Sequence, residues 1–208
     1  MKEREDYLKD LGDIRDMMER SSRFISLSGA SGVLVGLYAL AAYYMVRFVL
    51  PRSFWDFDGT FKTDAQIEYV IQGYLLVGIT TLVLSVGTAI FLTVQNAKRN
   101  GQGIWDGTAK RLVAAMLVPL IIGGFACLTL LLNGSVGLIA PLTLIFYGLA
   151  LINASKYSLP ELYSLGVAEA VLGLIALWLI GFGLHFWAVG FGLLHIVYGV
   201  AMHLKYKQ

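Results

Sequence analysis

The chain has 208 residues, of which 57% are hydrophobic and only 14% are charged, and its mean hydropathy is +0.70. Soluble domains carry charge on about a quarter of their residues, so this composition excludes an ordinary soluble domain. The formal net charge of +2 is too small to indicate a nucleic-acid-binding protein. We therefore expect a membrane protein whose main partner is the lipid bilayer.

Six long apolar runs divide the chain. A helix needs about 20 apolar residues to span the hydrocarbon core, and each run has about 19 to 27. Strands of a membrane barrel are about half as long and alternate polar with apolar residues, so the runs favour helices. The predicted spans are residues 24–46, 69–95, 112–132, 136–155, 162–180 and 184–204.

Short breaks separate the later runs. Asn133-Gly134-Ser135 lies between the third and fourth, and Gly181-Phe182-Gly183 lies between the fifth and sixth. Such tight turns predict antiparallel neighbours, so we expect residues 24–208 to form one all-α domain of three transmembrane hairpins. Ser158, Pro160 and Glu161 have the spacing of a capping box, which predicts that the fifth helix begins there with Ser158 as its cap.

Lysine and arginine residues indicate the orientation. Six lie in residues 1–23, four in the loop 97–111, one at position 156 and two in the tail, which makes thirteen on one side of the predicted membrane. The other side has only three. Because positively charged loops stay inside, we expect both termini to be cytoplasmic.

Residues 1–23 form a separate, highly charged element. They lack the apolar core and cleavage site of a signal peptide. Tyr7, Leu11, Ile14 and Met18 follow the spacing of a short helical seam, which predicts a cytoplasmic amphipathic helix. It is either a solvated helix leading into the first span or a helix that pairs with a second copy or a partner protein.

Glycines recur at helical spacing in three of the predicted helices. Small residues let membrane helices approach closely, so these glycines predict helix contacts, either within the chain or on a dimer face. The packing candidates are Gly29, Gly32, Gly36, Gly166, Gly173, Gly192 and Gly199.

Glu169 is an acidic residue deep within a predicted span, where an ionisable group is costly and indicates function. It lies thirteen residues before Phe182, and His195 lies thirteen after it. At a rise of about 1.5 Å per residue, both are roughly 20 Å from the turn, so they are expected at the same depth. The pair is either neutral and hydrogen-bonded, or an ion pair, or a site of proton exchange. His203, two turns further on, is a candidate extension of this polar site.

Motifs for catalysis are lacking. Asp56-Phe57-Asp58-Gly59-Thr60 resembles the first motif of haloacid-dehalogenase-type phosphatases, but no strand precedes it and the loop is too short for an α/β domain. The glycine-rich loop 100–107 lacks the Gly-Lys-Ser/Thr ending of a phosphate loop. Three histidines and one cysteine are too few for an ordinary zinc site. We therefore expect no enzyme activity, no cofactor and no metal.

Two stretches are similar to segments of a known group of proteins. Residues 147–157, Tyr-Gly-Leu-Ala-Leu-Ile-Asn-Ala-Ser-Lys-Tyr, and residues 191–199, Phe-Gly-Leu-Leu-His-Ile-Val-Tyr-Gly, resemble segments of small, uncharacterised bacterial six-helix membrane proteins. The resemblance covers mainly the last three helices. It implies a bacterial inner-membrane location and no particular substrate or catalytic residue.

Two functions remain open on this reading. The leading one is a non-enzymatic sensory or interaction component, with a homodimer or a partner held through the N-terminal helix. The alternative is a small proton- or solute-coupled transporter that uses Glu169 and His195.

Overall fold

The computed structural model describes residues 28–49, 64–99 and 105–206. All regular structure in these ranges is helical. The helices are α1 (Gly29–Val49), α2 (Asp64–Arg99), α3 (Gly107–Leu132), α4 (Val136–Tyr157), α5 (Glu161–Trp178) and α6 (Gly183–Tyr206).

Each of these six helices is long and apolar enough to cross a membrane. Their most apolar stretches have mean hydropathies between 1.5 and 2.4. A helix suits such a composition because it pairs its backbone groups internally and needs no water to do so. The all-α fold class with six apolar helices is thus confirmed. α2 extends further than the predicted 69–95, because its ends continue into polar sequence.

Two helices depart from regular α-helical geometry. α6 contains a π-helical segment, Ala188–Leu194, between an α-helical first turn and the α-helical stretch His195–Tyr206. α1 ends in a second π-helical segment, Met45–Val49. A π turn spaces its backbone hydrogen bonds five residues apart and often marks a functional site. The segment in α6 ends immediately before His195.

Glycines make the turns that the sequence predicts between helices. Gly134, between α3 and α4, has φ +72°, and Gly181, between α5 and α6, has φ +106°. Glycine adopts this left-handed backbone without steric cost, whereas other residues do so only with strain. α3 has an additional start signal, because the Asp106 carboxylate accepts a hydrogen bond of 2.7 Å from the Ala109 backbone N–H.

The predicted capping box at the start of α5 is wrong in its details. Pro160, and not Ser158, is the residue at the N-cap, and it has no side chain that can cap. The Glu161 carboxylate bonds Lys205 and Tyr206 of α6. The partners of this carboxylate thus include a cation and a phenol from another helix.

α4 and α5 approach each other through glycines. A methyl group on Gly166 would lie 2.7 Å from the Gly148 carbonyl oxygen, and one on Gly148 would lie 2.5 Å from the Gly166 carbonyl oxygen. Gly173 faces Pro141 and Ile145 of α4 in the same way. The contacts with the carbonyl oxygens of Gly148, Gly166 and Pro141 are made by backbone atoms, so a larger side chain would separate the helices.

α1 and α6 form a second close pair. A methyl group on Gly199 would lie 2.6 Å from the Gly29 carbonyl oxygen, and one on Gly36 would lie 2.6 Å from the Gly192 carbonyl oxygen. Gly32 also faces Gly199. The partners of the small-residue faces of α5 and α6 are α4 and α1, because glycines on those two helices provide the matching surfaces.

The main buried core lies between α3, α4, α5 and α6. Tyr147, Tyr198 and Tyr206 pack against it from α4 and α6. α2 packs on α1, and no residue in the most apolar stretch of α2 is buried. The core residues are Ala109, Leu112, Leu151, Ala154, Leu159, Leu162, Leu165 and Met202.

Some of the sequence predictions fall on other parts of the chain. The amphipathic helix of residues 1–23, the loop with Asp56 and Asp58, and the glycine-rich stretch 100–104 lie outside the described residues. The contact with a second copy or a partner protein that we expect for residues 1–23 stays a prediction.

Candidate functional site

Glu169 is the ninth of the eighteen residues of α5, and its side chain is fully buried. Neither carboxylate oxygen has a hydrogen-bond partner among the described residues. Its closest polar neighbour is His195, whose Nδ1 lies 3.3 Å from Oε1. Buried carboxyl groups are normally hydrogen-bonded, so this one calls for an explanation.

Gly190, in the π-helical segment of α6, lies directly against the Glu169 carboxyl. A methyl group on Gly190 would overlap the Oε2 atom, and it would also contact Leu144 of α4. Only a residue without a side chain leaves room for the carboxyl group at this point. The π-helical segment and its glycine thus create the space that Glu169 fills.

His195 is 4% exposed and has three polar neighbours. Its Nδ1 lies 3.0 Å from the Gly190 carbonyl oxygen, in addition to the contact with Glu169. Its Nε2 lies 2.8 Å from the Tyr147 hydroxyl. The ring of Phe191 stacks on the imidazole, with centroids 5.8 Å apart and planes 18° apart. Its position is thus fixed by α4, α5 and α6 together.

These contacts define the hydrogen positions on the imidazole ring. A carbonyl oxygen only accepts, so Nδ1 donates its hydrogen to Gly190. In the neutral ring, Nε2 then accepts a hydrogen bond from the Tyr147 hydroxyl. The Nδ1 hydrogen is directed at the Gly190 carbonyl oxygen, so Glu169 does not accept a regular hydrogen bond from it.

A buried carboxylate without hydrogen-bond donors or a counter-charge is costly, whereas a protonated carboxyl group or an ion pair with His195 satisfies the site. Because Nδ1 already carries the hydrogen directed at Gly190, the imidazole can take a further proton only at Nε2, on the side of the Tyr147 hydroxyl. The neutral pair and the ion pair have the same net charge, so the cluster can hold one proton in two arrangements.

Tyr147 is a member of this site that the sequence interpretation missed. It lies in the middle of α4, and its hydroxyl provides the shortest polar contact of His195. One signal was present, because a tyrosine hydroxyl deep within an apolar run needs a polar partner. Sequence spacing alone does not reveal that the partner is a histidine 48 residues away.

The other two histidines are not part of the cluster. His203 is exposed at the end of α6, where its backbone contacts Gly29, so it does not extend the site as predicted. His185 is exposed near the start of α6 and packs edge-on against Tyr43 of α1. Within the described residues, no three histidine, cysteine or acidic side chains are grouped so that they could hold a metal ion.

Comparison with known proteins identifies no relative. The chain matches no protein-family model, no curated protein and no solved structure. The chemistry of the site therefore has to be inferred from the geometry of Tyr147, Glu169 and His195.

Proposed function

We propose that the chain is a multi-pass protein of a bacterial inner membrane, with three antiparallel hairpins and both termini in the cytoplasm. The six apolar helices and the tight glycine turns after α3 and α5 support this arrangement. The excess of lysine and arginine on one side supports the orientation. In this setting Glu169 lies near the middle of the bilayer.

We further propose that the protein is a proton-coupled transporter in which Glu169 binds the coupling proton. One observation carries this proposal: a fully buried carboxyl group, with no hydrogen-bond partner among the described residues, lies 3.3 Å from a histidine. Ionisable groups at mid-membrane are costly to retain, and in transporters they commonly form proton relays.

The π-helical segment of α6 is consistent with such a role. Secondary transporters place their sites at interrupted helices near the bilayer midplane. In the conformation described, Glu169 is occluded between α5 and α6. Loss of its proton would leave a negative charge that needs water or a cation, and the helices would have to separate to admit one. Proton release is in this way coupled to a change of conformation.

Purified protein in liposomes tests the proposal. An imposed pH gradient should drive proton uptake, recorded by a trapped pH-sensitive dye, and Glu169→Gln should reduce the rate roughly tenfold or more. The matched control is Ser164→Ala on the same helix, because Ser164 is exposed and bonds only the backbone of its own helix. This control should transport at the wild-type rate.

Two further measurements make the result decisive. Size-exclusion chromatography and circular dichroism establish that Glu169→Gln is folded, and Glu169→Asp provides an acid-retaining variant if it is not. Equal uptake by wild type and Glu169→Gln would contradict the proposal. Proton binding at Glu169 without flux would also contradict transport, and it would favour the sensory function instead.

A further inference from the structure

Polar side chains connect α5 and α6 at the end of the bundle where α5 begins. Glu161, in the first turn of α5, bonds Lys205 and the Tyr206 hydroxyl from the last turn of α6. Lys205 is exposed and Glu161 is partly exposed, so this group contacts solvent. Glu161 precedes Glu169 by eight residues, which is about 12 Å along the helix.

Tyr198 lies between this exposed group and the buried cluster. It follows His195 by three residues, which places it about 5 Å closer to Lys205 along α6. Its hydroxyl oxygen is buried and has no hydrogen-bond partner among the described residues. Tyr147 of α4 and Tyr206, which bonds Glu161, pack against the same buried core as Tyr198. A buried phenol without a partner is as unusual as the buried carboxyl group of Glu169.

The other half of the interface between α4, α5 and α6 differs in character. Between Glu169 and the turn at Gly181, the buried positions are apolar residues or glycines, and none has a polar side chain. They are Pro141, Leu144, Gly173, Ala176, Gly183, Ala188, Gly190 and Gly192. Within the described residues, buried polar groups therefore lead from Glu169 toward only one end of the bundle.

We propose that Glu169 exchanges its proton with the side of the membrane that Glu161 faces, through Tyr198, Tyr147 and His195. This inference rests on the proposed binding of a proton at Glu169. To that proposal it adds Glu161 as the group at which the proton enters, the side chains that relay the proton, and the side of the membrane from which it comes. In the proposed topology, the entry group lies at the cytoplasmic surface.

The transfer is balanced at each group. The relay operates after Glu169 has released its proton and Glu161 has taken one up from the solvent. Glu161 then gives this proton to the Tyr198 oxygen as Tyr198 gives its own toward Tyr147, with water completing the hydrogen-bond chain. Tyr147 then donates to His195 Nε2 while the Nδ1 hydrogen passes to Glu169 Oε1. Both phenols and the imidazole end neutral, and exchange of the ring hydrogen from Nε2 to Nδ1 resets the relay. The sum is one proton moved from Glu161 to Glu169, without any oxidant or reductant.

The experiment measures how fast the Glu169 carboxyl exchanges its proton for a deuteron. Protein in lipid is moved into D₂O, and the shift of the infrared C=O band that Glu169→Gln lacks is followed in time. Tyr198→Phe keeps the ring and removes the hydroxyl, so exchange should slow roughly tenfold or more. Glu161→Gln should also slow the exchange at Glu169. Tyr163→Phe, an exposed tyrosine of α5, is the matched control and should exchange at the wild-type rate.

A relay role and a packing role predict different results. If Tyr198 is a relay, Tyr198→Phe changes the exchange rate but not the fraction of Glu169 that is protonated at equilibrium, and Tyr198→His restores part of the rate. Exchange at the wild-type rate in Tyr198→Phe would overturn the route while leaving proton binding at Glu169 intact. A wild-type protein with no carboxyl band from Glu169 would overturn both proposals.

Discussion

Gly190 and Glu169 occupy the same small space between α5 and α6, since a methyl group on Gly190 would overlap the Oε2 atom of Glu169. The carboxyl group has little room to move away, because Leu144 closes the same space from α4 and is itself fully buried. The identity of residue 190 therefore controls whether Glu169 and His195 can meet.

Gly190→Ala should destabilise the protein by about 1–3 kcal/mol, the usual cost of overpacking a filled interior. The free energy of unfolding in mixed micelles, followed by circular dichroism during SDS titration, measures this. Gly87→Ala on α2 is the control, because no atom lies within 4 Å of its added methyl group. Equal stability of the two variants would show that the space beside Glu169 is larger than the structure indicates.

The close approach of α4 and α5 makes a second prediction. Gly166→Ala places a methyl group 2.7 Å from the Gly148 carbonyl oxygen, and backbone atoms cannot rotate away. We expect a loss of about 1–3 kcal/mol in the free energy of unfolding. Gly124→Ala on α3 has open space around it. It should be neutral or slightly stabilising, because alanine is the better helix former. A neutral Gly166→Ala would contradict the backbone contact.

Tyr147→Phe removes the hydroxyl that donates to His195 Nε2 and leaves a buried nitrogen without its partner. The expected cost is about 1–3 kcal/mol. The same SDS titration measures it, with Tyr163→Phe as the control on an exposed tyrosine. Nitrogen NMR of the imidazole gives a second readout, because loss of the donor should change the Nε2 chemical shift. An unchanged shift would mean that the tyrosine and the histidine do not bond.

The proposed orientation has its own test. In a Cys127→Ala background, a cysteine introduced at Ser53 should react with a membrane-impermeant maleimide added to intact cells. A cysteine introduced at Gln102 should react only after the membrane is opened. The reverse pattern would place both termini outside and would contradict the orientation inferred from lysine and arginine.

The sequence predicts much of this architecture, because the signals concerned are local. Runs of apolar residues define the helices. Gly134 and Gly181 mark turns because glycine readily adopts a positive φ, a local preference that does not depend on contacts with other helices. The meeting of Glu169 and His195 also follows from local geometry, since a tight turn and a constant rise per residue place them at one depth. The separation of 3.3 Å between His195 Nδ1 and Glu169 Oε1 agrees with that expectation.

Other features depend on contacts that spacing does not encode. The π-helical segment Ala188–Leu194 interrupts the regular rise assumed for α6. The glycines in this segment do not by themselves predict a π-helical conformation. Tyr147 joins the site from a helix outside the α5–α6 pair. The glycines of α5 face α4, because the choice of partner depends on matching surfaces on both helices. His203 is exposed, and it lies eight residues, or about 12 Å along the helix, beyond His195.

The unequal packing of the helices has a consequence for how this sequence can diverge. α6 contacts α1 on one side and both α4 and α5 on the other, so the positions on both of these faces have neighbours that must change with them. α2 packs mainly on α1, and no residue in its most apolar stretch is buried. Among descendants of this gene, substitutions should therefore accumulate fastest on α2, where any apolar side chain serves, and slowest around Gly190 and His195 on α6.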